Sequence, residues 1–155
     1  MPKTHEELIL VERRLFGLMD TDTDACPNPW PAGPRPAGEP VIVRTGRIDF
    51  VSAAPDHRAL VRLESWDHDP PAPDGTWADE ERTEIELPSG TVQLWTLTMG
   101  PGTAAFAIGP PGRYALRVWT RGQDAALELS WRSRPVPDAT EQYVVQFWPK
   151  PAREA

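Results

Sequence analysis

The sequence predicts an all-β fold, an antiparallel β-sandwich of about eight strands with one N-terminal amphipathic helix. Two segments in the last third, residues 109–122 and 141–149, carry most of this prediction. Each places turn residues ahead of β-branched and aromatic residues that alternate with polar ones, which is the pattern of antiparallel strands. Turn signals also recur at roughly ten-residue spacing after residue 41, which favours a sandwich over a parallel α/β sheet.

The first unit of the chain, residues 1–19, is predicted to form the helix. Thr4 and Glu7 have the spacing of a capping box, in which a hydroxyl and a carboxylate each accept a hydrogen bond from an otherwise unpaired backbone N–H. The apolar residues that follow recur at helical spacing: Leu8, Val11, Leu15 and Leu18. Such a helix would either pack against the sheet or dock a partner.

A β-sandwich domain is predicted over residues 41–149, between a proline-rich connector over 20–40 and a short tail over 150–155. The connector has six prolines between residues 27 and 40, which remove the backbone donors that a helix or a central strand needs. Besides the two runs in the last third, the predicted strands are 41–45, 47–52, 59–66, 83–87, 91–98, 104–108 and 126–131.

The start of the connector resembles a calcium-binding loop, with acidic residues at Asp20, Asp22 and Asp24. That motif needs Gly at its sixth position and Glu at its twelfth. Here these positions hold Ala25 and Pro31. We therefore exclude a calcium site of this kind and predict a solvated loop.

Composition and motifs exclude several classes of function. The formal net charge of −7 argues against nucleic acid or an anionic membrane as the main partner, and leaves a basic protein as a possible one. The single cysteine, Cys26, fits a reducing compartment, and no targeting segment is visible, so we expect a cytoplasmic protein. No nucleophile elbow or phosphate-binding loop is present, so we expect neither catalysis nor a cofactor.

The charge pattern suggests a partner-binding face. Residues 64–86 contain nine acidic residues and Arg82 as their one lysine or arginine, and an acidic strand of this kind could steer a basic partner. The candidate partner-binding residues are Asp79, Glu80, Glu81, Glu84 and Glu86. Alternatively, this strand lies beside an arginine-rich strand, and the two sets of charges offset each other.

Two further sites are candidates. Seven tryptophans are many for this length, and they serve either as core residues or as an aromatic platform for a small ligand or carbohydrate. Trp95, Arg117 and Trp119 are the candidate residues of such a platform. Asp67, His68 and Asp69 form a weak candidate metal site, for which an ordinary surface turn is the alternative.

The last third carries two motifs, Gly112-x-Tyr114-x-x-Arg117-Val118 and Tyr143-x-Val-Gln-x-Trp-Pro149. With them the chain resembles a set of small uncharacterised bacterial β-sandwich proteins. In overall plan, and without a matched motif, it is also similar to the competence-protein-J family of nuclease inhibitors, which are small acidic cytoplasmic β-proteins. We therefore hypothesise a non-enzymatic interaction module, of the inhibitor or immunity type, that binds a basic partner through its acidic face. A small-ligand or carbohydrate-binding sandwich is the alternative.

Overall fold

The computed structural model describes residues 2–25, 40–102 and 104–150. Two β-sheets make up most of this part of the chain, together with one α-helix and a short 3-10 helix at Thr23–Ala25. The strands are β1 Lys3–Val11, β2 Leu15–Asp20, β3 Val41–Arg44, β4 Arg47–Val51, β5 His57–Ser65, β6 Ala78–Leu87, β7 Thr91–Thr96, β8 Gly100–Pro101, β9 Phe106–Ala107, β10 Gly112–Arg121 and β11 Gln142–Pro149, with helix α1 at Gln123–Trp131 between the last two.

The first sheet has five strands in the order β1-β5-β11-β10-β6, so β1 and β6 lie at its edges. The second has six strands, in the order β3-β4-β2-β7-β8 with β9 also paired to β7. All pairs are antiparallel except β5 with β11, which run parallel. The all-β class is thus broadly confirmed, while the strictly antiparallel arrangement is wrong at this one pair.

The core lies between the two sheets and follows the period-2 alternation of the strands. From the five-stranded sheet, Val61 of β5, Leu116 of β10 and Val145 of β11 are fully buried in it. Phe16 and Phe50 of the six-stranded sheet stack with their ring centroids 4.7 Å apart, and the Tyr143 ring meets both of them edge-on. This aromatic cluster joins the two sheets.

The predicted N-terminal helix is wrong, because residues 4–19 form strands in both sheets. β1 pairs with β5 along its whole length, and β2 lies between β4 and β7. The burial of β1 alternates, with Ile9 and Val11 buried and Leu8 exposed. The apolar residues of this segment satisfy both a helical and a strand period, and pairing with β5 decides between them despite the capping-box signal.

The predicted strand over 126–131 is also wrong, since α1 occupies Gln123–Trp131. Gln, Ala, Leu and Glu dominate this segment and favour helix, and Asp124 in the first turn complements the helix dipole. Only Ala126 of the helix is buried. Most of the connector, with its prolines, Cys26 and Trp30, lies outside the described residues. None of the helices in the described ranges has the length and apolarity needed to span a membrane.

Candidate functional site

The candidate site is the outer face of the five-stranded sheet, which points away from the six-stranded sheet. Six of the seven tryptophans lie in the described ranges, and none of these six belongs to the core between the sheets. Trp119 and Trp148 alternate with core residues of β10 and β11 and therefore lie on the outer face. Tryptophans outside the core suggest that this face has a function, since Trp and Arg dominate binding hot spots.

Arginines cover the tryptophans of this face. The Arg117 guanidinium lies 4.1 Å from the centroid of the Trp119 ring, and Arg121 lies at the same distance from Trp77. As a result, Trp119 is only 7% exposed although it faces outward. Stacking of this kind combines cation–π attraction with apolar burial.

The outer carboxylates of β6 are paired with cations of the same chain. Because β6 pairs with β10, Asp79 meets Arg117 at 2.7 Å and Glu86 meets Arg113 at 3.2 Å. Glu84 forms an ion pair with Lys150 on the same face. Three of the five candidate partner-binding residues therefore lie beside compensating charges, as the alternative interpretation of the charge pattern describes.

Glu80 and Glu81 differ from these three. Glu80 occupies a bulge where the pairing of β6 with β10 shifts, and its carboxylate accepts a hydrogen bond from the Thr120 hydroxyl at 2.8 Å. The carboxylate of Glu81 accepts one from the backbone N–H of Arg82 at 3.1 Å. Within the described ranges, neither carboxylate forms an ion pair with Lys or Arg. Their charge is therefore the least compensated on β6.

The three residues of the candidate ligand platform are not all together. Arg117 and Trp119 are in contact on the outer face. Trp95 lies on β7 in the other sheet, where it pairs with Gly17 and Pro101. The structure thus joins Arg117 and Trp119 with the acidic residue Asp79, instead of with Trp95.

The three residues of the candidate metal site do not form one cluster, because they have different partners. Asp67 contacts His68, and this contact lowers the pKa of Asp67. Asp69 instead accepts a hydrogen bond from Arg82 at 2.7 Å. In the part of the chain that the structure describes, no group of three or more His, Cys, Asp or Glu side chains could hold a metal ion.

A buried polar network underlies the outer face. Gln146 is 1% exposed and lies at the centre of the network. Its side-chain oxygen accepts a hydrogen bond from Trp119 Nε1 at 2.9 Å, and its nitrogen donates to the Glu64 carboxylate at 3.0 Å. Glu64 also accepts a bond from Trp66 Nε1 at 2.9 Å. These bonds fix the tryptophan rings, because a buried polar group holds its position where its partners are satisfied.

The loop of residues 66–77, between β5 and β6, folds back across this face. Gln146 donates a hydrogen bond to the Pro71 carbonyl oxygen at 3.0 Å, and Trp77 Nε1 donates one to the Asp74 carbonyl oxygen at 2.9 Å. A cavity of about 410 Å³ lies between the loop and the sheet. Sequence reasoning missed this cavity. The closely spaced prolines of the loop, followed by Trp77, were the available signal.

A second polar cluster joins the ends of β4, β5 and β11. Ser52 Oγ lies 2.8 Å from His57 Nε2, and Glu141 lies 4.0 Å from the same nitrogen. All three residues are buried. A catalytic triad needs the carboxylate on the opposite ring nitrogen and an accessible hydroxyl, so this arrangement is not a triad. Glu141 instead accepts hydrogen bonds from the Tyr143 hydroxyl at 2.7 Å and from the Ala53 N–H at 3.0 Å.

The buried His57 predicts a dependence of stability on pH. Burial lowers the pKa of His57 from its usual 6.5, and Glu141, Asp56 and Asp138 oppose this shift without reversing it. The folded protein keeps His57 neutral at a pH where the unfolded chain binds a proton. Stability is therefore lost as the pH falls below about 6.5. We expect the urea midpoint of unfolding to fall between about pH 7.5 and about pH 5.5.

The control for this prediction is His57→Gln, which removes the titrating group and should flatten the pH profile. Equal slopes for the two proteins would assign the pH dependence to other groups. The window stays above the usual pKa range of carboxylates, and the comparison with His57→Gln isolates His57 from the other two histidines.

Comparison with known proteins shows the fold. No family model matches the chain, and no curated protein matches it in sequence. ComJ from Bacillus subtilis, described as an inhibitor of the DNA degrading activity of NucA, has a TM-score of 0.62 at 12% identity, over 97% of this chain and 99% of its own. The structure described as crocagin biosynthetic gene J has a TM-score of 0.60 at 16% identity, with the same coverage.

The chain therefore has the fold of ComJ. This confirms the similarity in overall plan to the competence-protein-J family at the level of the fold. The resemblance to uncharacterised bacterial proteins, which rests on the two strand motifs, is not supported by these comparisons and stays a prediction.

Proposed function

We propose that the protein is a non-enzymatic interaction module of the inhibitor type, which binds a basic partner protein through β6. The observation that carries this proposal is the edge position of β6, because no further strand of the sheet covers its outer side. Five carboxylates lie on this strand: Asp79, Glu80, Glu81, Glu84 and Glu86. The fold supports the proposal, since ComJ is described as an inhibitor of a DNA-degrading activity.

The ion pairs of the outer face are compatible with this role. The pairs of Asp79 with Arg117 and of Glu86 with Arg113 are partly exposed to solvent, and exposed pairs contribute about 0.2–1 kcal/mol each. A cation of the partner could take the place of either arginine in these ion pairs at a small cost in free energy. Glu80 and Glu81 need no such exchange, so we expect them to contribute most to the attraction.

Charge reversal on β6 tests the proposal. We expect Glu80→Lys with Glu81→Lys to weaken capture of a stoichiometric basic partner from the source organism by at least about tenfold. The measurement is quantitative mass spectrometry of the proteins retained by the immobilised chain. We expect the wild-type complex to dissociate when salt rises from about 0.05 M to about 0.5 M.

The matched control is Asp24→Lys with Asp138→Lys, which changes the net charge equally at two exposed sites outside β6. Both variants should first show the wild-type melting temperature within a few degrees. Equal losses in the two variants would indicate general electrostatics, and no loss in the β6 variant would exclude β6 as the binding strand. Either result contradicts the proposal.

A further inference from the structure

The cavity between the 66–77 loop and the sheet has the form of a ligand-binding site. Its volume of about 410 Å³ lies in the range of about 300–1,000 Å³ that is usual for small-ligand pockets. Trp66 and Trp77 line it, and the backbone of Pro71 is tied to the sheet by Gln146. The loop is therefore held in place without a ligand, which lowers the entropy cost of binding.

The two indole rings have fixed orientations. Trp66 Nε1 is bound to the Glu64 carboxylate and Trp77 Nε1 to the Asp74 carbonyl oxygen. With both N–H groups already used, the rings offer a ligand apolar surface rather than donors. The face of an indole ring carries partial negative charge and attracts polarised C–H groups.

The charged groups of the cavity nearly balance. Arg62 lies 2.9 Å from the Glu64 carboxylate and 3.6 Å from that of Glu6. On the other wall, Arg121 donates two hydrogen bonds to the Gln142 side chain, and Asp74 also lines the cavity. Two guanidinium groups and three carboxylates therefore line the cavity, and one of the carboxylates, Glu64, also accepts hydrogen bonds in the buried network. The excess of one carboxylate disfavours an anion, and the contacts of Arg62 with Glu6 and Glu64 offset part of their charge, so that a cation gains little.

We propose that this cavity binds an uncharged saccharide. A sugar hydroxyl both donates and accepts hydrogen bonds, and neighbouring hydroxyls match the paired atoms of a guanidinium or a carboxylate. Arg62 and Arg121 supply the donors, and Glu6 and Asp74 the acceptors. The C–H faces of the sugar ring pack against Trp66 and against the part of the Trp77 ring that Arg121 does not cover. The inference is independent of the protein partner proposed above, since neither Glu80 nor Glu81 lines the cavity.

A panel of uncharged saccharides tests the proposal on the intact protein. The probes are methyl glycosides and disaccharides of glucose, galactose, mannose and N-acetylglucosamine, at up to roughly 10 mM. N-acetyl-arginine amide and N-acetyl-glutamate amide serve as charged probes of similar size. We expect at least one saccharide to change tryptophan fluorescence saturably and to show saturation-transfer NMR signals, with both charged probes binding at least about tenfold more weakly.

Two variants assign the binding to the cavity. Trp77→Ala should lower the saccharide affinity at least about tenfold, and Asp74→Ala, on the rim, should lower it several-fold without disturbing the loop. The control is Trp131→Ala on α1, which removes a side chain that is 80% exposed and outside the cavity. The proposal is overturned if no saccharide binds saturably, if a charged probe binds more tightly than every saccharide, or if binding survives both cavity variants.

Discussion

Replacement of Asp20 with alanine is expected to lower the free energy of unfolding by about 3 kcal/mol. The Asp20 side chain is completely buried at the end of β2. Its carboxylate accepts hydrogen bonds from the N–H groups of Ser89, Gly90 and Asp22 at distances of 2.8–3.1 Å. Alanine would leave these donors without their acceptor, and a buried unpaired donor costs about 1–3 kcal/mol. Water would satisfy the more exposed N–H of Asp22.

Urea denaturation at neutral pH measures this loss. Asp20→Asn should give an intermediate value, because it keeps one acceptor oxygen and places an amide N–H₂ against the remaining donors. Asp24→Ala is the matched control, since Asp24 is an exposed acidic residue of the same segment and should change stability by less than about 0.5 kcal/mol. A loss below about 1 kcal/mol for Asp20→Ala would show that the turn between β6 and β7 does not depend on this carboxylate.

The same residue shows how far motif reasoning reaches. Sequence spacing argues against a calcium loop at Asp20, Asp22 and Asp24. It did not reveal what Asp20 does, because its partners Ser89 and Gly90 lie 69 and 70 residues away along the chain. A local motif can be tested locally, whereas a buried carboxylate that organises a distant turn becomes visible only in the fold.

Strands with strict alternation were predictable, and the ambiguous segments were not. In β10, Leu116 and Val118 are buried at every second position, so one face of the strand is unmistakable in the sequence. In β1 and β2 the apolar residues fit both periods. Only their neighbours in the sheets, β5 for β1 and β4 and β7 for β2, decide for strand. The error at α1 has the opposite cause, since intrinsic helix propensity prevailed over an apparent alternation of Leu127 and Leu129.

For the outer face, too, sequence reasoning predicted the composition of the strands but not the contacts between them. The composition of β6 indicated an acidic strand, and the arginines of β10 were visible as well. That Asp79 meets Arg117 follows from the register of the two strands, which spacing along the chain does not contain. The cavity was still less accessible, because it requires the 66–77 loop to cross the sheet. Tryptophans were expected mainly in the core, yet stacked arginines allow Trp119 to be buried on the outside.

The two proposals place different chemistry on different parts of the five-stranded sheet. At the β6 edge, Glu80 and Glu81 carry charge that is little compensated, and long-range attraction to a basic partner follows. At the cavity, Arg62 is paired with carboxylates and Arg121 with the neutral side chain of Gln142, and short-range hydrogen bonding and stacking remain. Salt therefore separates the two activities: partner binding should weaken as salt rises, and saccharide binding should change little.

Gly122→Ala is expected to lower the free energy of unfolding by about 3 kcal/mol and to weaken the saccharide site as well. Gly122 has φ of +80°, where an L-residue costs about 1–2 kcal/mol. A Cβ at this position would also overlap the carbonyl group of Thr140, and backbone cannot move aside as a flexible side chain does. The displacement would reach Gln142, whose side chain accepts two hydrogen bonds from Arg121.

Gly100→Ala separates the two causes, because Gly100 has nearly the same φ of +78° but nothing within 4 Å of an added Cβ. It should therefore cost only the conformational part, about 1–2 kcal/mol. Thermal and urea unfolding of both variants measure the difference, which reports the clash with Thr140 alone. Equal losses of stability in the two variants would mean that the backbone at Thr140 moves aside without measurable cost. In that case Gln142 would not be held firmly enough to position Arg121, and the saccharide affinity of Gly122→Ala should equal that of the wild type.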